Sequence, residues 1–225
     1  MQTVSRNQVF PDDTFALGVR REIHHDVSMH SHEFSELVIV IDGHGSHRTG
    51  NREYPVRAGD VFVIHGDRSH EYNVEASLEI VNVLFDLERL PIPLLDLKTL
   101  PGFHALFTFE PVFRHADRLN SRLRLSGTQL TDVGSTLVLL EKQFRERPPG
   151  WRFASLALFM ELISALSRCY SHIPQSRQSP QVMRLAEVVS YLESHYTDVV
   201  ALDDLARMAH MSRSTLLRAF KRAFG

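Results

Sequence analysis

The sequence predicts an α+β chain: an antiparallel β-barrel first, a helical hairpin second, and a partial all-α helix-turn-helix domain last. Three observations carry this. Residues 15–85 read as short strands separated by Gly- and Asp-containing turns. From about Arg114 the apolar period becomes helical. Residues 181–225 hold short amphipathic stretches, the last with an Arg-rich outer face. The expected segments are residues 1–110, 111–172, a linker at 173–180, and 181–225.

The barrel comes from the first run. Leu37, Ile39 and Ile41 alternate with Glu36, Val38 and Val40, which suits a strand buried on both faces. Asp42-Gly43, Thr49-Gly50-Asn51 and Arg57-Ala58-Gly59-Asp60 read as turns. Val61–Ile64 and Leu78–Phe85 are further strands. Pro91, Pro93 and Pro101 then mark an irregular connector over residues 91–110, with room for a short helix.

The hairpin follows. Leu130, Val133, Leu137, Leu140 and Phe144 lie on one helical face, and Pro148-Pro149-Gly150 ends that helix. A second helix runs from Trp151 to about Tyr170, with Leu156, Phe159, Leu162, Ile163 and Leu166 along one side. The stripe either covers the barrel or pairs with a second subunit, and both readings stand. Ser171–Pro180 has two prolines and few hydrophobes, as a linker does.

The last segment begins with Met183, Ala186, Val189, Leu192 and Tyr196 on one helical stripe. A short helix follows at Ala201–Ala209, with Asp203 and Asp204 in its first turn at the positive end of the helix dipole. His210-Met211 is the turn, and Ser212 can cap a helix from Arg213 to Phe224. Leu216 and Phe220 face inward. Arg213, Ser214, Leu217, Arg218, Lys221 and Arg222 are left outside, either as the basic solvated face of an ordinary three-helix bundle or where a reading helix meets DNA. Arg218 suits guanine, Leu217 a thymine methyl, and Lys221 and Arg222 suit phosphate.

Composition sets bounds. The chain has 225 residues and is 43% hydrophobic, enough for one large core or two small ones. A net charge of -2 excludes a generally basic nucleic-acid coat, so DNA contact must come from a local cluster. The single Cys169 excludes an intramolecular disulfide and fits a reducing compartment. Residues 1–20 have no long apolar run, and Phe153–Leu166 is short and broken by Glu161. The expectation is a cytoplasmic protein with no membrane partner.

Eight of thirteen histidines fall between His24 and His70. His30 and His32 share one strand face, and Glu36 and His70 can meet them inside a barrel. These four groups would suit a divalent metal such as Zn, Fe, Mn or Ni. They would equally hydrogen-bond a sugar, with Tyr72 nearby. No cofactor follows with certainty from the residues alone.

The spacing His30-x-His32-x-x-x-Glu36 followed by Gly43 resembles the first motif of the cupin superfamily. The run from Gly59 to His70 and Asn73 resembles the second motif in degenerate form. His65 stands where proline is expected, Asp67 where glycine is expected, and Asn73 comes one residue early. The segment from Leu202 to Gly225, with Ala206, Ser212, Leu216 and Phe220 at scaffold positions, closely resembles the first helix-turn-helix of the AraC/XylS regulator family. The text around His30–Val40 and Gly59–Tyr72 is most similar to the L-rhamnose-responsive activators of that family.

That resemblance implies a transcription regulator controlled by a small effector, a sugar such as L-rhamnose. It implies a homodimer that binds DNA and, in a full-length activator, meets RNA polymerase. Arg213, Ser214, Leu217 and Arg218 would read bases. The family's DNA domain carries a second helix-turn-helix, which is missing here, so this chain is expected to be truncated and to bind DNA weakly. The competing expectation is a metal-dependent cupin enzyme acting on a small sugar or in an oxygenation, which the first motif favours.

Overall fold

The computed structural model describes residues 2–10, 14–66, 68–74, 77–116, 122–173 and 179–225. The expected linker lies mostly outside them. The chain forms two compact units, residues 1–93 with 124–162, and residues 94–123 with 163–225. The expected boundaries at 110 and 172 cut the chain differently. The run after Pro93 packs with the carboxy-terminal helices, and one division falls inside the hairpin's second helix.

The first unit is a curled barrel. In chain order it holds β1 (Gln2–Val4), α1 (Arg6–Val9), β2 (Leu17–His24), β3 (Val27–His32), β4 (Ser35–Thr49), β5 (Arg52–Arg57), β6 (Asp60–Ile64), β7 (His70–Asn73) and β8 (Leu78–Phe85). Two sheets share β4. Its first half pairs with β6 and β8, and β8 pairs with β2. Its second half pairs with β5 and β7, and β7 pairs with β3. These pairings are antiparallel, whereas β1 adds to β3 in parallel.

Residues alternate in and out along each strand. Val38, Val40, Val56, Phe62, Ile64, Leu78 and Ile80 fill one buried cluster in the barrel. The opposite faces of β4 and β8 are buried as well, at Leu37, Ile39, Val81 and Val83. That explains the unbroken apolar runs.

Asp42-Gly43, expected as a turn between strands, lies within the continuous β4. The pairing with β8 shifts register between Val40 and Asp42, a bulge that bends the strand from one sheet into the other. Gly43 has a φ of 82°, and a Cβ there would stand 2.2 Å from the Ser77 carbonyl oxygen. Only glycine fits that approach.

The hairpin consists of α4 (Gly127–Glu146) and α5 (Trp151–Ser171). Ser126 caps α4 and forms a capping box with Gln129. Val133, Leu137 and Leu140 are buried. Within the first unit Arg21 of β2 donates to Glu141 of α4 at 2.9 Å and to Glu79 at 2.6 Å. Phe85 of β8 meets Phe159, with ring centroids 5.4 Å apart. Phe15, Phe144 and Trp151 cluster beside them. The hairpin therefore covers the barrel. Among the described residues α5 is the one helix long and apolar enough to cross a membrane, with a mean hydropathy of 1.3. Here Phe159 and Leu162 are buried in protein.

The second unit starts with a 3-10 turn at Leu95–Thr99, then α2 (Pro101–His104), a π turn at Ala105–Phe109 and α3 (Glu110–Ala116). The connector, expected to be irregular with room for one short helix, is helical from Leu95 onward, because Pro101 occupies the first turn of α2, where it lacks no needed donor. These turns pack against α6 (Pro180–Ser194), which is followed by α7 (Leu202–Met208) and α8 (Arg213–Phe224). Tyr196, expected on the first apolar stripe, lies beyond the end of α6 and is exposed. Glu110 and Arg114 form a buried ion pair one helical turn apart.

Candidate functional site

A cavity of about 190 Å³ opens at one end of the barrel. Taking roughly 30 Å³ per liquid water, it holds about six waters, the size of a single sugar ring. His30, His32, Glu36, His70 and Tyr72 all line it, as do Arg20, Glu22, His24 and Asn82. Val4, Val9, Phe34 and Leu84 form the apolar part of its wall. A few convergent polar groups on an apolar lining is the usual build of a small-ligand site.

The strands place these groups by period and register. β3 ends on His30 and His32, and His30 is the Cα partner of His70 on β7. Glu36 opens the inward face of β4, and Tyr72 follows His70 by two. β1 lies along β3, with Val4 opposite His32, and α1 brings Val9 to the wall. Phe10 closes edge-on against Phe34 at 5.3 Å.

Each cavity histidine on β3 and β7 is fixed through one nitrogen. Nδ1 of His30 donates to the Ser28 carbonyl at 3.0 Å, Nδ1 of His70 to the Arg68 carbonyl at 3.3 Å, and Nδ1 of His32 to the Phe34 carbonyl. A carbonyl only accepts, so these nitrogens carry the proton. The second nitrogens of His32 and His70 then face a Glu36 oxygen at 3.4 and 3.5 Å, and none of the three atoms has a hydrogen-bond partner. Burial pushes the Glu36 carboxyl up, but His32 and His70, where their rings carry a second proton on the nitrogen facing it, outweigh burial and hold the group below its ordinary value. Burial lowers His24 and His30 below the ordinary imidazole value, against the pull of Glu22 on His24.

His32, Glu36 and His70 offer ligand atoms within 4.8 Å of one another. The outer nitrogens of His32 and His70 already donate to carbonyls, the usual outer support of a metal-ligating histidine. The three fit a divalent ion, whose charge would satisfy the three orphaned atoms. His30 lies beside His70, with ring centroids 4.2 Å apart, but is not part of that group of three.

Other histidines of the cluster have separate fates. His47 is buried against Phe62 and Tyr72, while His25 and His44 are exposed. His24 stacks on Tyr72 at 5.3 Å. The sequence reasoning missed Arg20, Glu22, His24 and Asn82 as wall residues. A signal was present, since Arg20, Glu22 and His24 are two apart and Asn82 interrupts an apolar strand.

The second candidate surface is α8. Ser212 caps it through the Thr215 N–H at 3.2 Å, and His210 makes the preceding turn with a φ of 51°. Leu216 and Ala219 are buried, while Arg213, Ser214, Leu217, Arg218, Lys221 and Arg222 are exposed. Their surroundings differ. Arg213 makes a two-point ion pair with Asp203 of α7. Arg222 lies over the Phe113 ring at 4.7 Å. Leu217 is 53% exposed, and Arg218 donates to the Thr215 hydroxyl of its own helix at 3.4 Å.

In chain order the protein is a β-barrel with a histidine-lined cavity, a helical hairpin, and two short helices, α7 and α8, joined by a tight turn. Residues 15–141 match the AraC-like ligand binding domain, and the chain belongs to that family. It is 26% identical to the HTH-type transcriptional activator RhaR of Escherichia coli strain K12, over 221 residues, 98% of this chain and 74% of that protein. RhaR of Shigella dysenteriae is 25% identical over 224 residues, covering all of this chain and 71% of that protein. A cupin-2 domain protein from Shewanella frigidimarina is 16% identical, with a TM-score of 0.30, over 32% of this chain and 72% of that one.

Proposed function

We propose that the chain is an effector-controlled transcription regulator and not an enzyme. Its barrel cavity takes a small polyhydroxy effector of the sugar class, with L-rhamnose the first candidate. The effector contacts are His30, His32, Glu36, His70 and Tyr72, and α8 reads DNA through Arg213, Ser214, Leu217, Arg218, Lys221 and Arg222. The observation that carries this reading is the polarity of α8: it buries Leu216 and Ala219 and turns Leu217 and Arg218 outward.

The test is fluorescence anisotropy on labelled DNA from the promoter region beside the gene, with and without sugar. A sugar that shifts Kd while leaving heat-denatured protein silent supports the reading. Allostery needs different effector affinity in the two states, so no shift by any bound sugar would refute control.

As an activator the protein would act in the cytoplasm, without a membrane partner, and would meet RNA polymerase. A homodimer fits the exposed face of α4. There Val138 is 55% and Leu139 50% exposed, beside Gly134, which has open space around it. Light scattering on Val138→Asp should read a lighter particle than the native chain.

The His32, Glu36 and His70 cluster favours a second reading, a metal-holding barrel with enzymatic chemistry. A bound divalent ion would supply Lewis acidity there. Stoichiometric metal in the purified chain, lost on His32→Ala, together with turnover of a sugar, would favour that reading.

A further inference from the structure

We propose that Arg20 and Asn82 form a second recognition station in the barrel cavity, and that the effector is a polyhydroxy acid whose carboxylate meets Arg20 and whose neighbouring hydroxyl meets Asn82. The proposal rests on reading the cavity as the effector site, and within the sugar class it puts a sugar acid ahead of the neutral L-rhamnose.

Asn82 lies mid-strand in β8 between buried Ile80, Val81, Val83 and Leu84. It is only 6% exposed, and its side-chain oxygen has no hydrogen-bond partner. Asparagine is disfavoured in strands, and a buried amide oxygen without a donor is costly, so this position calls for a donor from outside the chain. The side chain lines the cavity.

Arg20 is the Cα partner of Asn82 across the β2–β8 pairing, and it lines the same cavity at the exposed rim. Its chain neighbour shows what an ordinary surface arginine does here. Arg21 faces the other way and is held by both Glu79 and Glu141. Arg20 has no acid. The cavity's two carboxylates face imidazoles instead: Glu22 is 3.6 Å from His24, and Glu36 lies between His32 and His70.

The pair therefore presents complementary demands side by side. A guanidinium only donates and is best met by a carboxylate. The orphaned amide oxygen only accepts and is met by a hydroxyl. An α-hydroxy carboxylate offers both on adjacent carbons. With the acid at the rim, the remaining hydroxyls reach inward to His32, Glu36 and His70. A neutral sugar can supply the hydroxyl but leaves the Arg20 charge unanswered. A phosphate supplies charge without an adjacent donor. The cavity of about 190 Å³ limits the ligand to one sugar unit.

The test is calorimetric titration of the whole chain with L-rhamnose and L-rhamnonate, D-galactose and D-galactonate, D-galacturonate, and D-glucose 6-phosphate. At least one acid should bind tenfold or more tightly than its neutral partner. Arg20→Gln, a rim substitution, should narrow that gap to less than twofold. Asn82→Asp should abolish acid binding, while Asn82→Leu weakens it, with circular dichroism showing that both fold. If a neutral sugar binds as well as its acid, and its binding is lost in His32→Ala, the acid proposal fails while the effector cavity stands. Preference for the phosphate also overturns the proposal. If nothing in the panel binds, both readings fall.

Discussion

Arg218 and Arg222 sit four residues apart on one helix, yet their surroundings give them different work. Arg222 already rests on the Phe113 ring, whereas among the described residues Arg218 is held by Thr215 alone, which leaves it free for the proposed base contact. Arg218→Ala should weaken DNA binding by about 1–3 kcal/mol, concentrated at one base pair. Arg222→Ala should weaken it less, and evenly across sequences. Competition binding against single-base variants separates the two, and an even loss for Arg218→Ala would remove its base-reading role. The His-x-His spacing and the downstream Glu made the cavity's core legible in the sequence, because strand period alone puts His30 and His32 on one face. Arg20 and Asn82 each left a local signal, but their pairing was not legible, because it joins cross-strand neighbours 62 positions apart. The ion pair of Arg213 with Asp203 was equally hidden, since it depends on how α7 and α8 meet.

At the level of elements, caps and close approaches decide which segments hold. Ser212→Ala removes the acceptor for the Thr215 N–H and should cost about 0.5–2 kcal/mol, read by urea unfolding. A larger penalty is expected at α2. A Cβ on Gly102 would stand 1.9 Å from the Ser167 carbonyl oxygen and 2.6 Å from the Ser171 hydroxyl. The first obstacle is backbone, so Gly102→Ala should destabilise by about 1–3 kcal/mol. An unchanged midpoint would show that the two helices separate without cost. The long helices α4, α5 and α8 were legible from periodicity and caps. The bulge at Gly43 was not, because a turn and a bulge use the same residue for the same positive φ. β1 and α1 were missed because three and four residues are too few to carry a period.

For the molecule as a whole, buried histidines tie stability to pH. Burial lowers His24 and His104 below the ordinary value of 6.5. A folded state that binds fewer protons than the unfolded chain gains stability as pH rises. Stability should thus be complete above about pH 6.5 and fall as pH drops toward the lowered values. Glu36 adds a further loss only below its ordinary 4.5. Scanning calorimetry should give a lower Tm near pH 5.5 than near pH 7.5. A higher Tm at the acid end would contradict the sign of both shifts.

The proposed function stands or falls on whether α8 reads DNA. Selection of bound duplexes from a random pool, run in parallel with the native chain and Arg218→Ala, tests this. The native chain should enrich a defined motif, and the variant should lose preference at one position within it. If the native chain retains every sequence equally, or retains none, the reading helix has been misassigned.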